Sequence, residues 1–184
     1  SNKLKLLCKS MKIASFNING IKARIQLLKE WLKKENPDII GLQELKSDNS
    51  NLNKNMFADL GYSFAYNGQK SYNGCGILSK YEIKNTSYFF NGIQEDPQKR
   101  WISAEINEIL ICNLYLPNGN PLGTEKFEYK IHWMNLLYNY LKELQSIGKP
   151  IVIMGDFNII PQDIDCKSPK KWTNDALYNI DARS

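Results

Sequence analysis

Ile151-Val152-Ile153-Met154-Gly155-Asp156-Phe157-Asn158 runs four apolar residues into a glycine and then presents a carboxylate and a carboxamide two positions apart. A short apolar run closed by glycine reads as a buried strand that empties into a polar site. Residues two apart in extended chain share a side, so Asp156 and Asn158 are expected to address one ligand while Phe157 turns back toward the core. Two further stretches repeat the pattern. PDIIGLQE (residues 37–44) ends on a polar pair at Gln43-Glu44, and KIASFNING (residues 12–20) ends on Asn17 and Asn19. Asp and Asn taken singly are equally suited to capping helices and turning loops. Three strand ends carrying Asn17, Glu44 and Asp156 with Asn158 imply one convergent, oxygen-rich site.

Oxygen donors of this kind suit a hard divalent cation. Mg2+, or Mn2+ in its place, takes one or two carboxylates, keeps several waters and shares the rest of its shell with substrate phosphate. Phosphate ester chemistry is therefore the expected use of the site.

FNINGIKAR (residues 16–24), DIIGLQELK (38–46), NGCGILSK (73–80), NLYLPNG (113–119) and MGDFNIIPQDID (154–165) stand in this order along the chain. In content and spacing they resemble the exonuclease III and bacterial apurinic/apyrimidinic endonuclease family of the endonuclease/exonuclease/phosphatase superfamily, from Met11 onward. The resemblance implies a four-layer α/β sandwich, two packed mixed β-sheets flanked by helices, with the active site where strand termini converge. It implies Glu44 as metal ligand and Asn17 as a metal-site or substrate-orienting residue. Asp156 would handle the attacking water, Asn158 would contact the scissile phosphate, and the Tyr115 hydroxyl would donate to phosphate or to a developing oxyanion. Arg24, Lys46 and Arg100 stand near motif positions and would contact DNA phosphates without reading sequence.

The 184 residues suffice for one core, which is assigned to residues 11–184, and residues 1–10 read as an N-terminal extension whose Ser1-Asn2 is a tag remnant. Hydrophobic residues at 42% exclude a disordered chain, and no apolar run approaches the ~20 residues a membrane span needs. Net charge +5 permits attraction to a polyanion without specifying one. Cys8, Cys75, Cys112 and Cys166 show no CxxC spacing, so a zinc site is not expected and free thiols in a cytoplasmic setting are. Cys75 and Cys112 lie in apolar runs and read as small buried hydrophobes.

Ile21, Ile25, Leu28 and Leu32 recur at helical spacing and predict a helix over 21–35, halted before Pro37. A weaker helix is expected over 52–60, short strands over 62–67, 76–79 and 86–90, and a hairpin of 102–106 with 109–115 around Asn107-Glu108. Phe127, Ile131, Met134, Leu137, Leu141 and Leu144 predict a long amphipathic helix over 124–147 that feeds the Asp156 strand. Strands following strands with interspersed helices point to a layered sandwich, not a strictly alternating sheet.

The family's further motifs, among them a terminal Ser-Asp-His, do not occur before Ser184, and His132, followed by Trp133 on the long helix, is not that histidine but a helix surface or packing residue. The fold is accordingly expected to be incomplete at its C-terminus, through a longer parent protein, a split or decayed gene, or a second chain that supplies the missing segment. The resemblance implies a Mg2+-dependent DNA repair nuclease acting on double-stranded DNA at abasic sites and 3′ ends. A truncated, non-catalytic DNA-binding remnant and a superfamily phosphatase are the alternatives.

Overall fold

The computed structural model describes residues 10–183, so Cys8 and nearly all of the N-terminal extension lie outside the described residues. Strand β1 (Ile13–Asn17) leads through Gly20 into α1 (Ile21–Glu35) and returns as β2 (Ile39–Gln43), parallel to β1 with Asn17 opposite Gln43. Strands β3 (Ser63–Asn67) and β4 (Cys75–Ser79) join antiparallel to give the order β1-β2-β4-β3. The second sheet holds β5 (Lys84–Ser87), β6 (Trp101–Ile106), β7 (Ile109–Tyr115) and, after α2 (Glu125–Gln145), β8 (Ile151–Asp156), which lies parallel to β7. A short α3 (Ile180–Arg183) follows.

Alternation along the strands sorts side chains into three apolar interfaces, and these make four layers. Ile40, Leu42 and Leu78 face Ile21, Leu28 and Leu32 of α1 on one side of the first sheet. Ile39, Cys75 and Ile77 face Ile102, Ala104, Ile111 and Met154 between the sheets. Trp101, Cys112 and Leu114 face Trp133, Leu137 and Leu144 of α2 on the far side of the second sheet. The expected sandwich of two mixed sheets flanked by helices is the observed one. Among the described residues, no helix is long and apolar enough to cross a membrane.

Two glycines set how closely the parts approach. A Cβ on Gly41 would lie 2.8 Å from both Asn113 Oδ1 and Met154 Cε, so only glycine lets β2 meet the second sheet there. A Cβ on Gly155 would lie 2.1 Å from the Leu114 carbonyl oxygen, its neighbour across the β7–β8 ladder.

Helix α1 has the expected bounds, closed by Asn36 in the left-handed conformation with its N–H on the Leu32 carbonyl, and Lys33 and Lys34 lie in the last turn, where the helix dipole favours cations. The two-residue hairpin loop forms at Asn107-Glu108, both with positive φ. The helix expected over 52–60 does not form. One 3-10 turn, Asn49–Asn51, precedes the segment and another, Ala58–Leu60, closes it; the asparagines between satisfy turns, while Leu52 and Phe57 join the core beneath α1. His132 is exposed on α2, and Cys75 and Cys112 are buried without disulfides.

Candidate active site

The parallel strands β1, β2, β7 and β8 end side by side, and their last residues meet. The loops after β1 and β2 are joined by backbone hydrogen bonds, Ile18 N to Gln43 O at 3.0 Å, Gly20 N to Glu44 O at 2.8 Å and Ile21 N to Leu45 O at 3.1 Å. Asn19, Glu44, Lys46 and Asn158 all have φ near +50° in these end loops. Asparagine accepts that conformation readily, whereas for Glu44 and Lys46 it costs on the order of 1–3 kcal/mol each, and strain of this kind concentrates at functional sites.

Asn17 is the centre of the arrangement. Its Nδ2 donates to Glu44 Oε1 at 2.9 Å and to Asp156 Oδ2 at 2.8 Å, so one carboxamide bridges two carboxylates from different sheets. The Tyr115 hydroxyl donates to Glu44 Oε1 at 2.9 Å, and Lys46 Nζ stands 3.0 Å from Glu44 Oε2. Burial alone would raise the Glu44 carboxyl, but the hydrogen bonds from Asn17, Lys46 and Tyr115 outweigh it and hold the pKa below the usual glutamate value. Burial, and then the negative charge of Glu44, push the Tyr115 hydroxyl well above the ordinary tyrosine range, so it remains a donor.

Asp156 Oδ1 accepts from the Asn158 N–H at 3.0 Å. With both oxygens engaged, its carboxylate is fixed in orientation. The strand ends at Asp156, and Asn158 reaches the site from a left-handed turn instead of from extended chain, with Nδ2 donating to Leu116 O at 2.8 Å. Phe157 does not turn back to the core: it is 39% exposed and lines a cavity of about 690 Å³ together with Asn17, Gln43, Asp156, Asn158 and Leu177.

Three basic residues surround this cluster differently. Lys46 Nζ also donates to Asn19 Oδ1 at 2.6 Å, and Arg24 donates to the Asn19 carbonyl, so both cations gather on the turn after β1. Arg100 is buried. Its guanidinium lies 4.8 Å from the Tyr115 ring centroid and donates to the Tyr115 carbonyl at 3.1 Å and to Gln98 Oε1 at 2.8 Å. That placement makes it a support for Tyr115 as well as one wall of a second cavity, of about 560 Å³, shared with Asn118 and Tyr129.

Gln43 and Asn113 lie inside quoted motifs but carry a role that spacing does not reveal. Buried Gln43 donates to Asn113 Oδ1 at 2.6 Å, and Asn113 donates to the Leu42 and Gly76 carbonyls at 2.8 Å each. This network locks the two sheets together beneath the site. A buried carboxamide at a strand position otherwise taken by apolar residues is the signal that marks it.

Among the described residues, no group of three His, Cys, Asp or Glu side chains comes together. Two carboxylates and a carboxamide do, and a cation that retains water and borrows phosphate oxygens needs no more. The Lys46 ammonium on Glu44 shows that the position already favours positive charge.

Comparison with known proteins agrees with this geometry. Exodeoxyribonuclease III of Haemophilus influenzae is 37% identical over 171 residues, covering 88% of this chain and 64% of that protein. An AP endonuclease from Archaeoglobus fulgidus superposes with a TM-score of 0.89 at 35% identity, covering 95% of this chain and 67% of that one. A 3′ phosphatase from Neisseria, bound to a product DNA hairpin, gives 0.88 at 33% identity, covering 95% and 68%. The chain spans between 49% and 68% of the length of three curated relatives. The site lies at the strand ends of a two-sheet sandwich with the motifs in their expected order, and residues 14–182 match the family model as well: the chain belongs to the endonuclease/exonuclease/phosphatase family.

Proposed function

We propose that this chain is the nuclease region of a DNA repair enzyme that uses Mg2+ or Mn2+ to hydrolyse phosphodiesters in double-stranded DNA at abasic sites and 3′ ends. The observation that carries the reading is the single hydrogen-bonded cluster of Asn17, Glu44, Tyr115 and Asp156, drawn from three strand ends and the loop after β2, across two sheets. The relatives act accordingly: one is an exodeoxyribonuclease III, one an AP endonuclease, one a 3′ phosphatase bound to DNA.

Glu44, with Asn17 beside it and Asp156 across, would hold the cation, which when bound neutralises charge on the phosphoryl oxygens. Asp156, oriented by Asn17 and by the Asn158 N–H, takes the proton of the attacking water. Tyr115 keeps its proton and donates to a phosphoryl oxygen or to the departing oxygen. Asn158, on the same cavity wall, contacts the scissile phosphate. Lys46 and Arg24 hold neighbouring phosphates, and Arg100 steadies Tyr115 from behind. Further groups supplied by a segment or second chain that pairs along the open strand edges would add to this set.

The test is cleavage of a labelled duplex carrying one abasic-site analogue, with Mg2+ or with chelator, by the chain and by its Glu44→Ala variant. Cation-dependent cleavage lost in the variant is the expected result. Cleavage that survives chelator or Glu44→Ala overturns the assignment, and duplex binding without turnover supports a non-catalytic DNA-binding role instead.

A further inference from the structure

Lys130 sits in the second turn of α2 on the face it shares with Trp133 and Leu137, and it is fully buried. A buried ammonium survives only where its three protons find acceptors. Here Nζ donates to the carbonyls of Asn158 at 2.7 Å, Ala176 at 3.1 Å and Asn118 at 3.2 Å. These acceptors belong to three separate segments: the loop after β8, the C-terminal stretch, and the loop after β7.

Each of the three segments borders a site cavity. Asn158 lines the larger one with Asp156, Leu177 next to Ala176 lines the same one, and Asn118 lines the second with Arg100. The segments are also tied to one another, by Ala176 N to Asn120 Oδ1 at 2.8 Å, Asn120 Nδ2 to Asp175 Oδ1 at 3.1 Å, and Ile160 N to Leu177 O at 2.8 Å. An independent feature marks the passage of the lysine stem. Gly119 has φ +82°, and a Cβ there would lie 2.6 Å from Lys130 Cδ, so glycine leaves the room through which the ammonium reaches the loops. Burial pulls the ammonium down to about 8, opposed by Asp175, so the charge depends on these carbonyls.

We infer that Lys130 is a positioning residue, its buried ammonium holding the loops after β7 and β8 and the stretch around Ala176 so that Asp156 and Asn158 keep their places at the cavity. The residue touches neither Asp156 nor any cluster side chain. It acts through the Asn158 backbone, whose N–H orients Asp156. For its catalytic consequence the inference rests on the nuclease reading, but its structural content does not.

The experiment is hydrogen–deuterium exchange of the whole chain with Lys130→Met, paired with kcat and KM on the abasic duplex at a temperature well below unfolding. Amides of 118–120, 158–162 and 176–178 are expected to exchange about tenfold faster or more, with α1 and the first sheet unchanged. The folded variant is expected to lose about tenfold or more in kcat while KM moves less than about twofold. Unchanged exchange in those loops, a uniform rise across the molecule, or full kcat in the folded variant overturns the inference. If Lys130→Met does not fold, Gly119→Ala, which displaces the stem and keeps the charge, is read by the same criteria. If the unaltered chain does not cleave, the nuclease reading fails while the exchange measurement still decides the role of Lys130.

Discussion

Tyr115 shows how a single side chain is made dependable. Its hydroxyl is desolvated, donates to Glu44 and lies beneath a buried guanidinium, and the first two of these raise its pKa while Arg100 opposes them. A group whose folded pKa exceeds its unfolded value contributes stability that is whole below the unfolded value of 10.0 and is lost as pH rises through the folded value. The difference spectrum at 295 nm between the chain and its Tyr115→Phe variant should therefore show no tyrosinate up to about pH 11. Titration of Tyr115 near its ordinary value would show that neither burial nor Glu44 acts on its hydroxyl. In turnover, losing this one preorganised donor should cost about a hundredfold in kcat. Glu44 has the opposite sign. Its lowered pKa keeps the carboxylate ionised below the usual glutamate range, so its contribution is lost only as pH falls through that depressed value.

At the scale of elements, the site is as rigid as the joint beneath it. Asn113 on β7 accepts from Gln43 on β2 and caps two carbonyls of the first sheet, all in the dry interior. Asn113→Ala takes the side-chain donor from two buried carbonyls, Leu42 and Gly76, while Gln43 keeps Ser15 Oγ and the Gly41 carbonyl as acceptors. At about 1–3 kcal/mol per unsatisfied group it should lower the urea-derived stability by about 2 kcal/mol or more, with the m-value unchanged. A loss under about 1 kcal/mol would mean that the sheets are held by the apolar interface alone. This joint also marks the limit of what a sequence displays. Helix α1 was readable because Ile21, Leu28 and Leu32 declare one face locally, and the strand ends were readable because Asn17, Glu44 and Asp156 follow apolar runs. Asn113 and Lys130 were not, since their acceptors are backbone carbonyls far away in the chain, on which side-chain periodicity has no bearing. Residues 52–60 misled for the converse reason: Leu52, Met56 and Leu60 stand at helical spacing, yet the segment reaches the core through turns.

At the scale of the whole molecule, the cluster under α2 takes in Trp101, Cys112 and Leu114 of β6 and β7 and reaches Ile151 of β8, while Ile153 further along β8 stays exposed. Among the described residues, β1 and β8 are edge strands, each paired on one side only, and Phe16, Ile153 and Phe157 on or next to them are 39%, 36% and 39% exposed. Parallel strands are ordinarily covered on both faces and flanked on both sides, because an unpaired edge beside apolar side chains is a template for another strand. At physiological salt the repulsion of the +5 net charge reaches only about 8 Å, so it acts weakly on copies that are still apart. The chain should therefore bind a hydrophobic dye in its folded state and self-associate with rising concentration in sedimentation velocity. Ile153→Lys places a charge on that edge, as natural edge strands do, at a position that lines neither site cavity. It should suppress both effects with little change in thermal midpoint, because a side chain already more than a third exposed has little burial to lose. A chain that stays dark to the dye and monomeric at every concentration would show that this edge is not a sticky surface, and strand addition along β8 would lose its physical basis.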